Sequence, residues 1–217
     1  MIPRRKILFV LFLAAISMKF QCDKGVGIAV PIDHTFAETV SITPYKLNYN
    51  VGDTFWVNLS IPGKRLFDTK TNTRVLYDSA SFNSIAQVDL LYNNPFIANG
   101  PFARFIFPQG VSAYSNTSGP QTYANITYGC APSNDYRLSV GVILIEKGVF
   151  GISFFNTYIN KCFSNNFRSS QLSFSFDVSD THKQYYQQLP FINIGKQPSD
   201  DVLHRLDRKT MVVINVQ

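Results

Sequence analysis

Three separate segments of this chain alternate apolar and polar residues with a period of two, and that pattern limits the fold more than anything else in the sequence. Phe55, Val57 and Leu59 alternate with Thr54, Trp56, Asn58 and Ser60. Tyr136, Leu138, Val140, Val142 and Leu144 alternate with Arg137, Ser139 and Gly141. Leu172, Phe174, Phe176 and Val178 alternate with Ser173, Ser175 and Asp177. A period of two sends successive side chains to opposite faces of a strand. Each such strand has one apolar face that must be covered, so the segments belong to sheets packed on one another. Composition agrees: 19 Phe and 11 Tyr stand beside a single Trp, with abundant Ser, Thr and Asn and only two glutamates, Glu38 and Glu146. That balance favours strands and turns over helices.

Turn residues punctuate the rest. Val51-Gly52-Asp53 leads into the strand at residues 54–60, and Pro62-Gly63 ends it. Residues 65–68 and 74–78 flank the polar stretch 69–73 and read as a hairpin. Residues 85–92 and 102–107 read as further strands, the latter bracketed by Pro101 and Pro108. Residues 109–120, rich in Gly, Ser, Asn and Pro, read as a surface loop before a strand at 122–128. Glu146-Lys147-Gly148 reads as a short hairpin connection, with Gly148 supplying a positive φ before the chain returns at 149–155. A short helix is expected within 179–188. A second starts after Ser199, with Asp200 and Asp201 at its positive end and Arg205, Arg208 and Lys209 at its negative end. Residues 211–216 read as a last strand. Seven or more short strands with such turns predict an all-β sandwich.

The first 22 residues bear on location. Arg4, Arg5 and Lys6 precede the apolar run Ile7–Ile16, the layout of a secretory signal peptide. Ile7 to Met18 is twelve residues, short of the roughly 20 that span a bilayer. Two processing points compete. Ala15-Ile16-Ser17 offers small residues for cleavage before Met18; cleavage before Cys22 would free that thiol for acylation. Phe20 and Lys19 depart from the small residues usual before a lipidated cysteine. Three cysteines are an odd number for an exported chain. With Cys22 acylated, Cys130 and Cys162 remain as a pair, and a bridge there is worth roughly 3 to 4 kcal/mol in the chain-entropy model.

The turn Val51-Gly52-Asp53 and the connection Ile145-Glu146-Lys147-Gly148-Val149-Phe150 resemble features of immunoglobulin-like bacterial surface modules. Together with the leader, the chain resembles uncharacterised exported proteins and lipoproteins of Bacteroidota. The resemblance implies an antiparallel immunoglobulin-like β-sandwich with a short C-terminal helical insertion, located in the cell envelope. It implies no activity and no site residues. The expected organisation is a signal peptide at 1–21, a tether and lead-in at 22–40 that ends in a first edge strand, and the sandwich at 41–217.

Charge excludes one class of partner. The formal charge is +6, but four of the cations lie in residues 1–21, and the chain from Cys22 onward carries only +2. The remaining cations are scattered, so nucleic acid is not an expected partner. Neither CxxC nor HxxxH spacing occurs, so no metal or cofactor is expected.

Several residues are candidates for chemistry. His34, His182 and His204 are far apart in sequence, and no GxSxG elbow accompanies any serine. Asp200, Asp201 and His204 share a helical spacing seen in metal sites, yet acids in a first turn are explained by the helix dipole. Asp68, Asp78 and Asp89 lie near strand ends, where glycosidase carboxylates sit and where turn aspartates are also common. Trp56 falls on the polar face of its strand. Cover by a second layer or a loop is the preferred expectation; stacking on a sugar or a partner is the alternative. Asn58-Leu59-Ser60, Asn116-Thr117-Ser118 and Asn125-Ile126-Thr127 match the N-glycosylation sequon, which would have no such meaning in a bacterial exported protein and would matter only with a eukaryotic secretory source.

The sequence thus points to an exported, non-enzymatic binding or structural module, held to a membrane through Cys22 and facing a protein or glycan ligand. Its location would be the outer membrane, otherwise the periplasm or the medium. The alternative is a secreted hydrolase, carbohydrate- or ester-directed, with its site on the sandwich loops.

Overall fold

The computed structural model describes residues 34–92, 101–109, 111–130, 133–162, 170–190 and 198–217. The signal segment, both cleavage points and Cys22 lie outside the described residues. Within the domain, strands and helices follow in this order: β1 Thr35–Thr43, β2 Asn48–Tyr49, β3 Thr54–Ile61, β4 Arg65–Asp68, β5 Thr73–Leu76, β6 Ala80–Tyr92, β7 Ala103–Ile106, β8 Ser112–Ser118, β9 Gln121–Tyr128, β10 Tyr136–Leu144, β11 Gly148–Lys161, β12 Gln171–Phe176, α1 Thr181–Gln187, α2 Asp200–Asp207 and β13 Met211–Val216.

Two sheets form the sandwich. One runs β5-β4-β1-β3-β10-β7, with β12 also on β1. The other runs β2-β13-β11-β6-β9-β8. The three alternating segments of the sequence are β3, β10 and β12, all in the first sheet. Their apolar sets, Phe55/Val57/Leu59, Leu138/Val140/Val142 and Leu172/Phe174/Phe176, are buried in one core. Facing them from the second sheet are Phe82, Val88, Ile126, Phe150, Phe154 and Ile214. Two pairings, β1 with β12 and β2 with β13, are parallel in an otherwise antiparallel structure.

Four details differ from the sequence reading. The strand expected at the end of the lead-in is β1, but it runs on to Thr43 and is an interior strand rather than an edge, with β12 on one side and β3 and β4 on the other, because Phe36, Val40 and Ile42 complete the core. Residues 112–118 are a strand rather than loop. Their Ser- and Asn-rich composition gives no strand signal, but the β9 edge supplies seven consecutive partners. Gly148 does adopt a positive φ of 146°, yet Glu146–Gly148 does not close a hairpin: β10 and β11 lie in different sheets. The connection passes from one layer to the other, which a local turn signal cannot distinguish from a hairpin. Ser199 occupies the N-cap position of α2 without a side-chain capping bond.

The helices between β12 and β13 cover the outer face of the second sheet. Tyr186 of α1 and Val202 and Leu206 of α2 pack with Val149, Met211 and Val213 in a second apolar cluster. Beneath α2, Arg205 reaches Ser153 and lies 3.5 Å from Asp89, whose other oxygen accepts from Gln87 at 2.5 Å. Burial raises the Asp89 carboxyl above its ordinary value, opposed by Gln87 and Arg205.

The expected disulfide is present. Cys130 and Cys162 are bonded with Cα atoms 5.7 Å apart, inside the range such a bridge requires. It joins the chain just after β9 to the chain just after β11, and both strands flank β6. Gly129 lets the chain reach Cys130: its φ is +112°, and a Cβ there would meet Ala80 O at 2.5 Å.

Candidate binding face

The outer face of the first sheet carries an open row of residues running across four strands. Strand registry places Thr43 of β1 opposite Trp56 of β3, Trp56 opposite Gly141 of β10, and Gly141 opposite Ile106 of β7. The next row is Ser41, Asn58 and Ser139. These are the polar partners in the alternation that buries Phe55, Val57 and Leu59, so the face follows directly from the period of two.

Trp56 is 36% exposed and Ile106 37%. The indole leans over the backbone of Gly141, where a Cβ would come within 3.0 Å of Trp56 Cζ3 and 3.0 Å of Ile106 Cβ. The missing side chain lets the ring lie low against the sheet with one side left to solvent. Among the described residues no layer covers it, and Trp56 is exposed where the preferred expectation was a shielded ring.

Beside the ring the polar groups are uncharged and held in place, while one row away on the same face β7 adds the exposed cation Arg104. Ser139 Oγ donates to Asn58 Oδ1 at 2.7 Å. Asn58 Nδ2 donates to the Trp56 carbonyl at 3.3 Å and to Thr43 Oγ1 at 3.4 Å. Ser41, Thr43 and Ser60 are exposed. At the margin, Arg137 is neutralised by Asp135 at 2.7 Å. An aromatic ring set flat among fixed hydroxyl and amide groups offers an apolar stacking surface with hydrogen-bonding groups at its rim.

The other candidate residues are dispersed. His34 Nδ1 lies 2.8 Å from Asp68 Oδ2, and Asp68 is fully buried. Asp68 also accepts from Lys70 N–H at 3.1 Å and Thr71 Oγ1 at 3.0 Å. The His34 bond, aided by these two and opposed by burial, pulls the Asp68 carboxyl down to about 2. Sequence reading did not pair His34 with Asp68; the 34-residue separation is closed only when β1 and β4 meet.

His182 is buried under Tyr45, its ring centroid 5.0 Å from the tyrosine's, and Nδ1 donates to the Val213 carbonyl. Burial lowers its pKa. His204 is exposed on α2, and among the described residues no hydrogen bond or ring contact joins it to His182. Asp78 lies exposed in the turn after β5, and Asp89 lies under α2. Asp200 and Asp201 are exposed in the first turn of α2, and Asp201 is 3.9 Å from Arg205. Among the described residues no three His, Cys, Asp or Glu groups are placed to hold a metal ion. Of the three sequon asparagines, Asn58 belongs to the Trp56 face, while Asn116 on β8 and Asn125 on β9 belong to the second sheet.

No family profile and no curated protein matches the sequence. Among solved structures, the chain is similar to the non-cellulosomal cohesin of the hyperthermophilic archaeon Archaeoglobus fulgidus, at 12% identity and a TM-score of 0.32, over 72% of this chain and 99% of that one. It is also similar to an uncharacterised protein of Nocardia farcinica with an immunoglobulin-like fold, at 14% identity and a TM-score of 0.27, over 63% and 97%. The two-sheet architecture stands on the strand pairing itself.

Proposed function

We propose that this chain is an exported binding module that takes an uncharged carbohydrate chain on the Trp56 face. One observation carries the reading: a solvent-facing indole laid over Gly141 and framed by Asn58, Ser139 and Thr43. A pyranose presents an apolar C–H face to an aromatic ring and hydroxyls to the groups around it. The face matches both demands: the groups beside the ring are uncharged, and the cation on this face, Arg104, stands one row away from it. The leader and the Cys130–Cys162 bridge support an oxidising compartment outside the cytoplasm, and acylation of Cys22 would tether the module to a membrane.

Two experiments test the proposal. Affinity electrophoresis in gels containing laminarin, xylan, mannan or soluble starch should retard the wild type in at least one gel and Trp56→Ala in none. For the tether, Cys22→Ala should leave the membrane fraction and become soluble. A mature N-terminus at Met18 without lipid on Cys22 would reject the anchor while leaving the binding face untouched.

A further inference from the structure

The row of residues that holds Trp56 ends at a sheet edge, and that edge borders a cleft. The row runs from Thr43 through Trp56 and Gly141 to Ile106 on β7, the last strand of the first sheet. From β3 to β7 is two strand spacings, about 10 Å, the reach of a disaccharide. Past this edge, between β7 and β8, lies an open cleft of about 530 Å³. Arg104 and Phe105 line it from the first sheet, and Ser115, Asn116, Thr117 and Thr122 from the second. Arg104 is on the same face as Ile106, two residues before it on β7 and so about 7 Å away.

The groups in the cleft are those an acidic sugar needs. Of the cations on β7 and β10, Arg137 is neutralised by Asp135 at 2.7 Å, whereas Arg104 has no hydrogen-bond or ion-pair partner among the described residues. None of the lining residues is acidic. The hydroxyls of Thr117 and the buried Thr122 are 3.4 Å apart, and Thr122 Oγ1 accepts from Phe102 N–H at 3.0 Å. Asn116 Oδ1 accepts from Thr117 N–H at 2.8 Å, which fixes that side chain and leaves its amide nitrogen to donate. A guanidinium presents parallel N–H groups that match the two oxygens of a carboxylate. The hydroxyls and the amide suit the hydroxyls of a sugar ring. One unopposed cation in an otherwise uncharged cleft selects a single negative charge on a polar body.

We propose that this cleft takes a uronic acid unit of the chain that stacks on Trp56, with its carboxylate on Arg104. The inference rests on the carbohydrate reading of the Trp56 face and narrows the class of chain: a main chain that is uncharged where it crosses Trp56 and carries occasional uronate units. The occupant follows from continuity and charge. A chain laid along the Trp56–Ile106 row leaves the sheet at β7, and its next unit or branch meets Arg104 and the hydroxyls of β8. A wholly neutral chain would leave the guanidinium unused. A densely charged one would set a carboxylate over the indole, where the neighbouring groups, Asn58, Ser139 and Thr43, offer it no cation.

Isothermal titration calorimetry of the protein carrying Cys22→Ala, so that no acyl chain contributes, tests the inference with matched polymers. Where mannan, laminarin or soluble starch is the neutral chain bound, it is compared with the same polymer after a minority of its C6 hydroxymethyl groups have been oxidised to carboxylates. Where xylan is bound, glucuronoxylan is compared with its carboxyl-reduced form. The parent should bind the uronate-bearing form about three- to tenfold more tightly than the neutral one. Arg104→Gln should bind both forms equally, at the parent's affinity for the neutral one. Arg65→Gln, which removes an exposed cation on β4, should keep the parent's preference. Trp56→Ala should bind neither form. Equal affinity of the parent for both forms, with binding still lost in Trp56→Ala, overturns the acidic subsite and leaves the Trp56 face standing. A preference that Arg104→Gln retains, or that Arg65→Gln loses as fully, also overturns the subsite, as general attraction between a cationic protein and a polyanion. Absence of Trp56-dependent binding to every neutral polymer overturns the carbohydrate reading and the subsite with it.

Discussion

Trp56 rests on the bare backbone of Gly141, so close that a Cβ at 141 would sit 3.0 Å from the ring carbon Cζ3. The two residues are cross-strand partners on β3 and β10. Gly141→Val should therefore push the indole off the sheet. Because Trp56 is the only tryptophan in the chain, its emission maximum reports the displacement without interference. The variant should shift the emission and lose about 1 to 3 kcal/mol in urea unfolding. An unchanged spectrum with unchanged stability would mean that the ring does not lie where the structure puts it.

The two faces of β3 should respond differently to truncation. Phe55 is in the core and Trp56 on the open face. Phe55→Ala should cost about 3 to 5 kcal/mol, and Trp56→Ala less, because 36% of Trp56 already faces water and its removal leaves no enclosed cavity. A larger loss for Trp56→Ala than for Phe55→Ala would reverse the assignment of faces.

Asp68 gives the domain a specific acid sensitivity. Its carboxyl is pulled from 3.8 to about 2 in the folded chain, chiefly by the His34 bond. A depressed carboxylate contributes its full stabilisation above the unfolded value and loses it as pH falls through the folded one. Asp68→Asn should lower stability at neutral pH and flatten the decline between pH 3.8 and about 2. Parallel acid-unfolding curves for the two proteins would contradict this.

His182 acts in another window. Burial lowers its pKa below 6.5, so the unfolded chain takes up the proton first as the solution is acidified. Stability is then full above 6.5 and falls as pH drops below it. Replacing His182 by Asn, which keeps a donor for the Val213 carbonyl and cannot titrate, should remove that slope. Urea midpoints measured on both sides of pH 6.5 decide the matter.

The bridge between Cys130 and Cys162 should be inert to maleimide in the folded, unreduced protein. Cys130→Ala with Cys162→Ala should lose roughly 3 to 4 kcal/mol, the loop-closure value. Labelling of both thiols without reductant would show that the pair is open.

How much of this was legible in the sequence depends on what each feature needs. The alternation at 54–60, 136–144 and 172–178 announced both the sandwich and the face on which Trp56 lies. Reading the exposure of Trp56 required knowing that Gly141 is its neighbour, a contact between residues 85 positions apart. β8 was invisible because Ser-Ala-Tyr-Ser-Asn-Thr-Ser has the composition of a loop, and only the odd-numbered edge of β9 turns it into a strand. The link at 146–148 looked like a hairpin because a glycine with positive φ serves equally well where the chain changes sheets. The His34–Asp68 bond likewise needs β1 against β4 before it exists.

The central claim is that the Trp56 face binds an uncharged carbohydrate chain, and affinity electrophoresis of wild type beside Trp56→Ala tests it most directly. The account predicts that at least one of the four polysaccharides slows the wild type and that the substitution restores free migration in that gel, with Tyr114→Ala on the opposite sheet still retarded. Equal migration of wild type and Trp56→Ala in every gel would contradict it.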